Sequence, residues 1–451
     1  MSRIWPISVL GGRALRGRCG ALTGALLPLT SFALGPGFTI PATLSFTRAS
    51  IGYYVSSTGY LASASSNVPR GEYRAASAGG PLTYMGCLFE PASTNLLLRS
   101  NDFANATWTK GNITATNINT LAGLTDCFGN ADSGLTCASL VDTLSGTHRV
   151  TQSVSFTSGT TYTLSVCVSA GDLNGPRCTL VLPAAGFGSE KKGIFNLSTG
   201  VFDSLDAGLT GRVEFLGTAR KGGAYWYRIS ISAAATATAS GAIGIGLDNG
   251  TTDSYFGGFS TGMYVAAAQC EACQVPTSYI QTSGSTVTRA AEDLRDAAGI
   301  SSFFPGGAST GGPSSWVIQA ALKAIGSGIE ARVLYCANSG FGHTRQVLLS
   351  QVIGGGRARI DNYDAANDVN STVANTVAIG SPMKVGARWK SNDTIGCVNG
   401  TLGTQDTACT MSSDLIYFRV ATSLANATFW LRQIDLYAQA LSDAELRGAT
   451  S

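Results

Sequence analysis

The sequence predicts an all-β protein, with two antiparallel β-sandwiches of jelly-roll type in tandem after an N-terminal anchor segment. Short runs rich in β-branched and aromatic residues alternate with turn formers at even spacing, which is the pattern of sandwiches and jelly rolls. Charged residues make up only 13% of the chain, about half the usual ~25%, and glycine is abundant at 56 residues. Hydrophobic residues make up 44% of the 451 positions, enough for real cores in about two or three domains. This composition argues against a helical cytosolic enzyme. The net charge of +3 is scattered along the chain, so no field for nucleic acid is expected.

Taken in order, residues 1–43 read as an anchor. Arg3, Arg13, Arg16 and Arg18 precede an apolar run at 21–35. That run is short of the ~20 residues a membrane span needs and is broken by Pro28, so no span is expected. A cleavable secretory signal with a loose site at Ser31-Phe32-Ala33 is the rival reading. Residues 44–95 read as a short β connector. It contains a hairpin, Gly52–Val55 and Tyr60–Ala62, around Ser56-Ser57-Thr58-Gly59. Arg48 and Arg70 read as structural hydrogen-bond donors. Pro91, lacking an N–H, suits a strand end.

Residues 96–285 read as the first sandwich, with Phe103 and Trp108 packing underneath its opening strand. In TYTLSVCV, Tyr162, Leu164, Val166 and Val168 share one face, and Thr161, Thr163, Ser165 and Cys167 share the other. The first face is expected in the core and the second in water or beside a groove. Residues 286–314 read as a linker, ending in the Gly/Pro/Ser-rich FFPGGASTGGPSS. Residues 315–451 read as the second sandwich, with Trp389 in its core. A closing helix has Ser442 as N-cap and Glu445 at the capping-box position.

The 11 cysteines show no zinc spacing, since Cys270-x-x-Cys273 lacks a second pair. Cys127 and Cys137 flank one loop and Cys397 and Cys409 another, so either pair is placed to face across its turn. Buried free thiols are the favoured reading.

Several phrases resemble tailed-phage virion fibre and spike proteins. These are Phe46-Thr47-Arg48-Ala49-Ser50, Asn67-Val68-Pro69-Arg70, and the run Glu90-Pro91-Ala92-Ser93-Thr94-Asn95-Leu96-Leu97. Ala268-Gln269-Cys270-Glu271 with Thr277-Ser278-Tyr279-Ile280 resembles the close of a carbohydrate-binding-module-like sandwich. Ala387-Arg388-Trp389, Val398-Asn399-Gly400 and Ala440–Leu446 resemble a concanavalin/laminin-G-like jelly roll. The resemblance implies a structural protein on the virion exterior, docked on other virion proteins through residues 1–43. It also implies a homo-oligomer, by analogy a trimer, that contacts host surface polysaccharide. A secreted bacterial adhesin and a polysaccharide depolymerase are the alternatives.

Catalytic residues are not expected. His148 reads as an ordinary surface residue and His343 as a turn residue, and the carboxylates lie on unrelated segments. Sugar binding needs ring faces beside amides and carboxylates. Candidates are Tyr225 and Tyr227, with Trp226 assigned to the core. Further candidates are Asp248, Asn249, Asp253, Tyr255 and Phe256 in one loop, and Asp361, Asn362 and Tyr363 in another. The plainer reading of both loops is a solvated Asx-rich turn. Their carboxylates are of the kind a structural Ca²⁺ ion uses, but no motif supports one, and no metal or cofactor is expected.

Overall fold

The computed structural model describes residues 28–220, 224–259, 261–296, 312–326, 329–338, 343–352, 355–364, 367–374, 378–411, 414–421 and 427–451. The protein is all-β, and the pairings between its strands are antiparallel. Among the described residues no helix is long and apolar enough to cross a membrane.

In the first sandwich, one sheet holds six strands in the order Val201–Leu205, Lys191–Asn196, Arg177–Leu182, Ala239–Asp248, Arg149–Phe156 and Thr109–Gly111. Facing it are Thr210–Arg220, Ala224–Ala234, Thr161–Ser169, Gly262–Glu271, Ala131–Asp142 and Ile113–Thr125. Leu164, Val166, Ile229, Ile231, Ile243 and Ile245 fill the space between, and Phe103 stacks on Trp108 at 5.0 Å beneath the first strand.

The second face of Thr161–Ser169 was expected to be wet, and it is buried. The two long strands Ile113–Thr125 and Ala131–Asp142 curl round until Leu124 pairs with Arg220. Cys167, Trp226, Tyr264 and Leu124 then form a further apolar cluster, roofed by Val55 and Leu61 of the hairpin Gly52–Val55/Leu61–Ala64. Thr163 and Ser165 on that face are accommodated by buried hydrogen bonds, Thr163 to Ser232 and Ser165 to Arg228.

The second sandwich packs Trp316 on Trp389 at 5.2 Å and Phe89 on Phe429 at 5.3 Å. The chain path differs from a plain tandem. Strand Ala427–Tyr437 pairs with Ser314–Ile325 on one side, which leaves its other edge open. An open edge is a liability, and two N-terminal segments cover it end to end. Thr30–Ala33 pairs with 433–436, and Leu82–Phe89 pairs with 429–431. Gly86 permits the second pairing. Its φ is +132°, and a Cβ there would lie 2.7 Å from the Leu431 carbonyl oxygen.

Three expected segments therefore change character. Residues 30–34 of the expected anchor are integral to the second sandwich, with Phe32 and Leu34 in its core; residues 1–27 lie outside the described residues. Leu44–Thr47 of the expected connector pairs with Asp293–Asp296 of the expected linker in the seven-stranded sheet. Val287–Arg289 pairs with Ser93–Asn95. The Gly/Pro/Ser-rich part of the linker, up to 311, lies outside the described residues. The helix Asp443–Thr450 has the expected capping box between Ser442 and Glu445.

Between the sandwiches lies a fully enclosed charge network. The Arg70 Nη2 group bonds Glu90 at 2.9 Å and Glu292 at 2.6 Å. Arg48 reaches Glu292 at 3.2 Å and donates its other N–H groups to the carbonyls of Ser50, Ala64, Ser65 and Val68. Arg289 pairs with Glu292 at 3.2 Å and donates to the Pro91 carbonyl at 2.7 Å. Ser278 donates to Glu90 from both its N–H and its hydroxyl. Beside this set, Lys323 donates to both oxygens of Glu72 at 2.9 Å, and the Trp430 indole N–H donates to the same carboxylate at 2.7 Å. Lys323 also faces Glu214, which Arg228 pairs from the other side.

Burial alone would raise the Glu90 carboxyl, but Arg289, Arg70 and Lys323 outweigh it and hold it well below the usual carboxylate range. Burial likewise opposes ionisation of Glu214, and Lys323, Arg228 and Arg74 overcome it to hold that group at about 2.

Removing one member strands its partners in an apolar interior. Arg70→Ala should lower stability by about 3–5 kcal/mol in urea titration, with Arg70→Lys recovering little because one ammonium cannot span Glu90, Glu292 and the Tyr53 carbonyl together. A loss below about 1 kcal/mol would refute a closed network. Both carboxyls are depressed on folding, so the unfolded chain binds protons first as pH falls. Stability from these groups is complete above about pH 5 and is lost toward pH 2, at about 1.4 kcal/mol per pH unit for each. Urea midpoints should fall over that range, and Glu214→Gln should shallow the slope.

Candidate functional site

A groove lies against the hairpin Gly52–Val55/Leu61–Ala64, walled by residues of the expected connector and of the end of the expected anchor. It encloses about 630 Å³. Phe38, Tyr54, Tyr73 and Tyr84 supply ring faces, and Ser56 and Asn67 supply polar groups at its wall. Tyr73 and Tyr84 are cross-strand partners whose rings meet edge to face at 5.2 Å. Gly71 keeps the floor open, because a Cβ there would sit 3.2 Å from the Tyr84 ring and 3.6 Å from Phe38. Among the described residues no Asp, Glu, Lys, Arg or His lines it. The hydroxyls of Tyr54 and Tyr73 and the amide Nδ2 of Asn67 have no hydrogen-bond partner among the described residues, whereas Asn67 Oδ1 accepts from the Arg48 N–H at 3.0 Å. Four rings beside open hydroxyl and amide groups can stack on an apolar ligand face and bond its hydroxyls.

The hairpin is held rigidly. Gly59, at φ +84°, turns the chain, and its N–H donates to the Ser56 carbonyl at 3.0 Å. The Gly217 N–H donates to Gly59 O at 2.8 Å, and the Tyr60 hydroxyl donates to Thr218 O at 2.9 Å, so the tip is clamped to the first sandwich. At its base, Arg70 donates to the Tyr53 carbonyl and Glu72 accepts from the Val55 N–H. The charge network therefore sits directly behind the groove.

The residues expected to bind sugar fare differently. Tyr227 is only 3% exposed and packs in the first core against Phe195, 5.2 Å away, so it is a core residue and not a binding surface. Strand alternation puts Tyr225 on the same face, half-buried beneath the turn at Gly79. Trp226 is buried as expected, its indole N–H donating to Thr125 O.

The loop after Ala239–Asp248 does bring Asp248, Asn249, Asp253, Tyr255 and Phe256 together; Asp253 and one oxygen each of Asp248 and Asn249 are engaged, while Asp248 Oδ2 and the Tyr255 hydroxyl are buried without a partner among the described residues. Asp248 is buried and accepts from the Gly250 N–H. Asn249 caps its own turn through the Thr251 and Thr252 N–H groups, the Asx-turn reading. Asp253 is buried under both bonds from Lys192. Tyr255 stacks on His148 at 4.0 Å, and His148 is buried instead of lying at the surface. Phe256 points outward, 84% exposed. In the second sandwich Asp361 is buried and paired with Arg359. Asn362 and Tyr363 fall in the strand Gly355–Asp364, where the backbone alone is described. His343 opens the strand His343–Val352.

Among the described residues no three His, Cys, Asp or Glu side chains group as a metal site. The described cysteines are free and buried. Neither expected pair is a disulfide: Cys127 and Cys137 are separate thiols, and Cys397 and Cys409 take separate hydrogen-bond partners in Thr450 and Thr394.

The groove residues escaped the sequence reading because they lie in stretches treated as an anchor and a connector. One signal was present. Tyr53, Tyr54, Tyr60, Tyr73 and Tyr84 are a third of the chain's 15 tyrosines, within residues 44–95.

No family model matches the chain, and no curated protein matches it. Solved structures do. The carbohydrate-binding module CBM40 of Ruminococcus gnavus IT-sialidase, bound to α2,3-sialyllactose, aligns at 15% identity and a TM-score of 0.27, over 32% of this chain and 85% of that one. A SAP-like pentraxin from Limulus polyphemus aligns at 10% identity and a TM-score of 0.25, over 31% of this chain and 70% of that one. Trypanosoma rangeli sialidase in complex with the inhibitor DANA aligns at 9% identity and a TM-score of 0.26, over 69% of this chain and 60% of that one. The ligand chemistry of this chain is read from its own side chains.

Truncation separates core from site. Tyr227→Ala should cost about 3–5 kcal/mol of stability, as large aromatic truncations in cores do. Tyr54→Ala, at the groove wall, should cost under about 1 kcal/mol in the same urea titration. Equal losses would mean that Tyr54 is a packing residue.

Proposed function

We propose that this chain is a structural subunit on the exterior of a tailed phage or phage-like particle, and that it binds host surface glycans through the groove of Phe38, Tyr54, Tyr73 and Tyr84. The glycan reading is carried by one observation: a ring-lined groove with open hydroxyl and amide groups and no charged side chain in its wall. Pyranose rings present an apolar face and a hydroxyl edge, which these groups complement.

The virion setting is supported by the resemblance of the phrases around Arg48, Arg70, Glu90 and Ser278 to fibre and spike proteins. Arg70, Glu90 and Ser278 are one another's partners in the charge network, and Arg48 joins them through Glu292. They thus describe a way of joining two sandwiches, a trait suited to a projecting subunit. Display on a particle is multivalent, so modest single-site affinity suffices.

We read the groove as binding and not cleaving, since glycoside hydrolysis uses two facing carboxylates and none lines it. Glu72, Glu90 and Glu292, carboxylates behind the groove, are enclosed and paired.

The full chain should retain a host polysaccharide on a glycan array. Tyr54→Ala and Tyr73→Ala should each weaken retention at least about tenfold, or about 1.4 kcal/mol. Retention unchanged in both variants would remove the groove from the proposal. Mass spectrometry of purified particles should find the chain, and a label on its C-terminus should image outside the shell. Its absence from particles, with recovery from culture medium as a chain trimmed near residue 34, would favour a secreted adhesin.

A further inference from the structure

Two further depressions adjoin the main groove. One of about 430 Å³ is bounded by Tyr53, Ser63, Phe128, Asn130 and Gln281, and one of about 300 Å³ by Ile51, Tyr279 and Val287. They follow one another along the hairpin and share lining residues. Ser56 at its tip lines both the main groove and the second depression, and Tyr53 lines the second and the third. Strand alternation produces this arrangement: Tyr53 and Tyr54 are adjacent, so they face opposite sides of the hairpin and serve different depressions.

The second depression repeats the chemistry of the first. Tyr53 and Phe128 meet edge to face at 6.0 Å, forming a ring corner. The Tyr53 hydroxyl donates to Gln281 Oε1 at 2.7 Å, which leaves the Gln281 amide Nε2 without a partner among the described residues. The oxygen of the Asn130 amide is likewise without one, its nitrogen being held by Asp126. No charged side chain lines this depression either. Arg289 alone reaches the third, and its terminal N–H groups are held by Glu292 and the carbonyls of Ala290 and Pro91.

We propose that the ligand is an uncharged, extended polysaccharide chain that lies over the hairpin, crossing from the Tyr54 groove past Ser56 to the Tyr53–Phe128 corner. This rests on the glycan reading given above and adds the ligand's charge and length. Neutrality follows from the lining. An acidic polysaccharide would leave its carboxylates without a free cation in any of the three depressions, and desolvating them there is costly. Length follows from their succession along the hairpin. The first two depressions are each the size of a small-ligand site, and a short sugar fills one of them only.

The test is calorimetric titration of the full chain with size-fractionated neutral oligosaccharides, from about two to about eight sugars, cut from the polysaccharide retained best on the array. Polygalacturonate fragments of matched length serve as acidic probes. Affinity should rise at least about tenfold between the shortest and the longer fragments and then level off, with the acidic series weaker throughout. Ser63 is exposed on the hairpin beside Tyr53, so Ser63→Trp fills the second depression without entering a core. It should abolish the gain with length while leaving the thermal melt unchanged.

Affinity independent of length, or a preference for polygalacturonate, overturns the inference while sparing glycan binding itself. Equal length dependence in Ser63→Trp and the unaltered chain also overturns it. Failure to bind any glycan overturns both readings.

Discussion

Glu292 holds the protein together in a literal sense. It accepts from Arg48, Arg70 and Arg289 and from the Glu90 N–H, in a fully enclosed place. A guanidinium or carboxylate is tolerated there only if nearly every donor and acceptor is matched. The segments around residues 48, 70, 90, 278 and 290 must therefore arrive together. Because they include parts of both sandwiches, the condition sets how the sandwiches join. A network of this kind adds little net stability over an apolar replacement, but it penalises any arrangement that leaves one member unpaired.

That condition also shapes the groove. The hairpin rises from between Arg48 and Arg70, and Arg70 donates to the Tyr53 carbonyl inside it. The charges stay behind the hairpin, where they are paired, and its outer faces keep tyrosine rings, hydroxyls and amides. The same few residues separate a dry ionic interior from a wet, uncharged surface. The cysteines belong to the dry side. Burial pushes the thiols of Cys87 and Cys137 up to about 12, which leaves them protonated and unreactive near neutrality.

How much was legible follows from the range of each signal. The hairpin and the capping box at Ser442 are local and legible in adjacent residues: the hairpin's first strand is Gly52–Val55 as expected, and its second runs Leu61–Ala64 where Tyr60–Ala62 was expected. The core assignments of Trp226 and Trp389 followed from alternation alone. Tyr227 was misjudged for a related reason. Alternation places it with Tyr225 opposite Trp226, but it cannot say that both faces of that strand are covered. Asn249 and Asp253 show the same limit in a loop: the sequence offers carboxylates and amides, and folding uses them on neighbouring N–H groups and on Lys192.

By itself, the sequence determined the β class and most strand positions, because each depends on periodicity or on turn chemistry within a few residues. Only the tertiary structure decided that N-terminal strands complete the second sandwich, that Glu90, Ser278 and Glu292 meet, and that the tyrosines of a supposed connector line a groove. Those outcomes depend on contacts between residues about 200 positions apart, such as Glu90 with Ser278 and Arg70 with Glu292. Unpaired strand edges and buried charges choose such partners in space, and no local pattern in the chain encodes that choice.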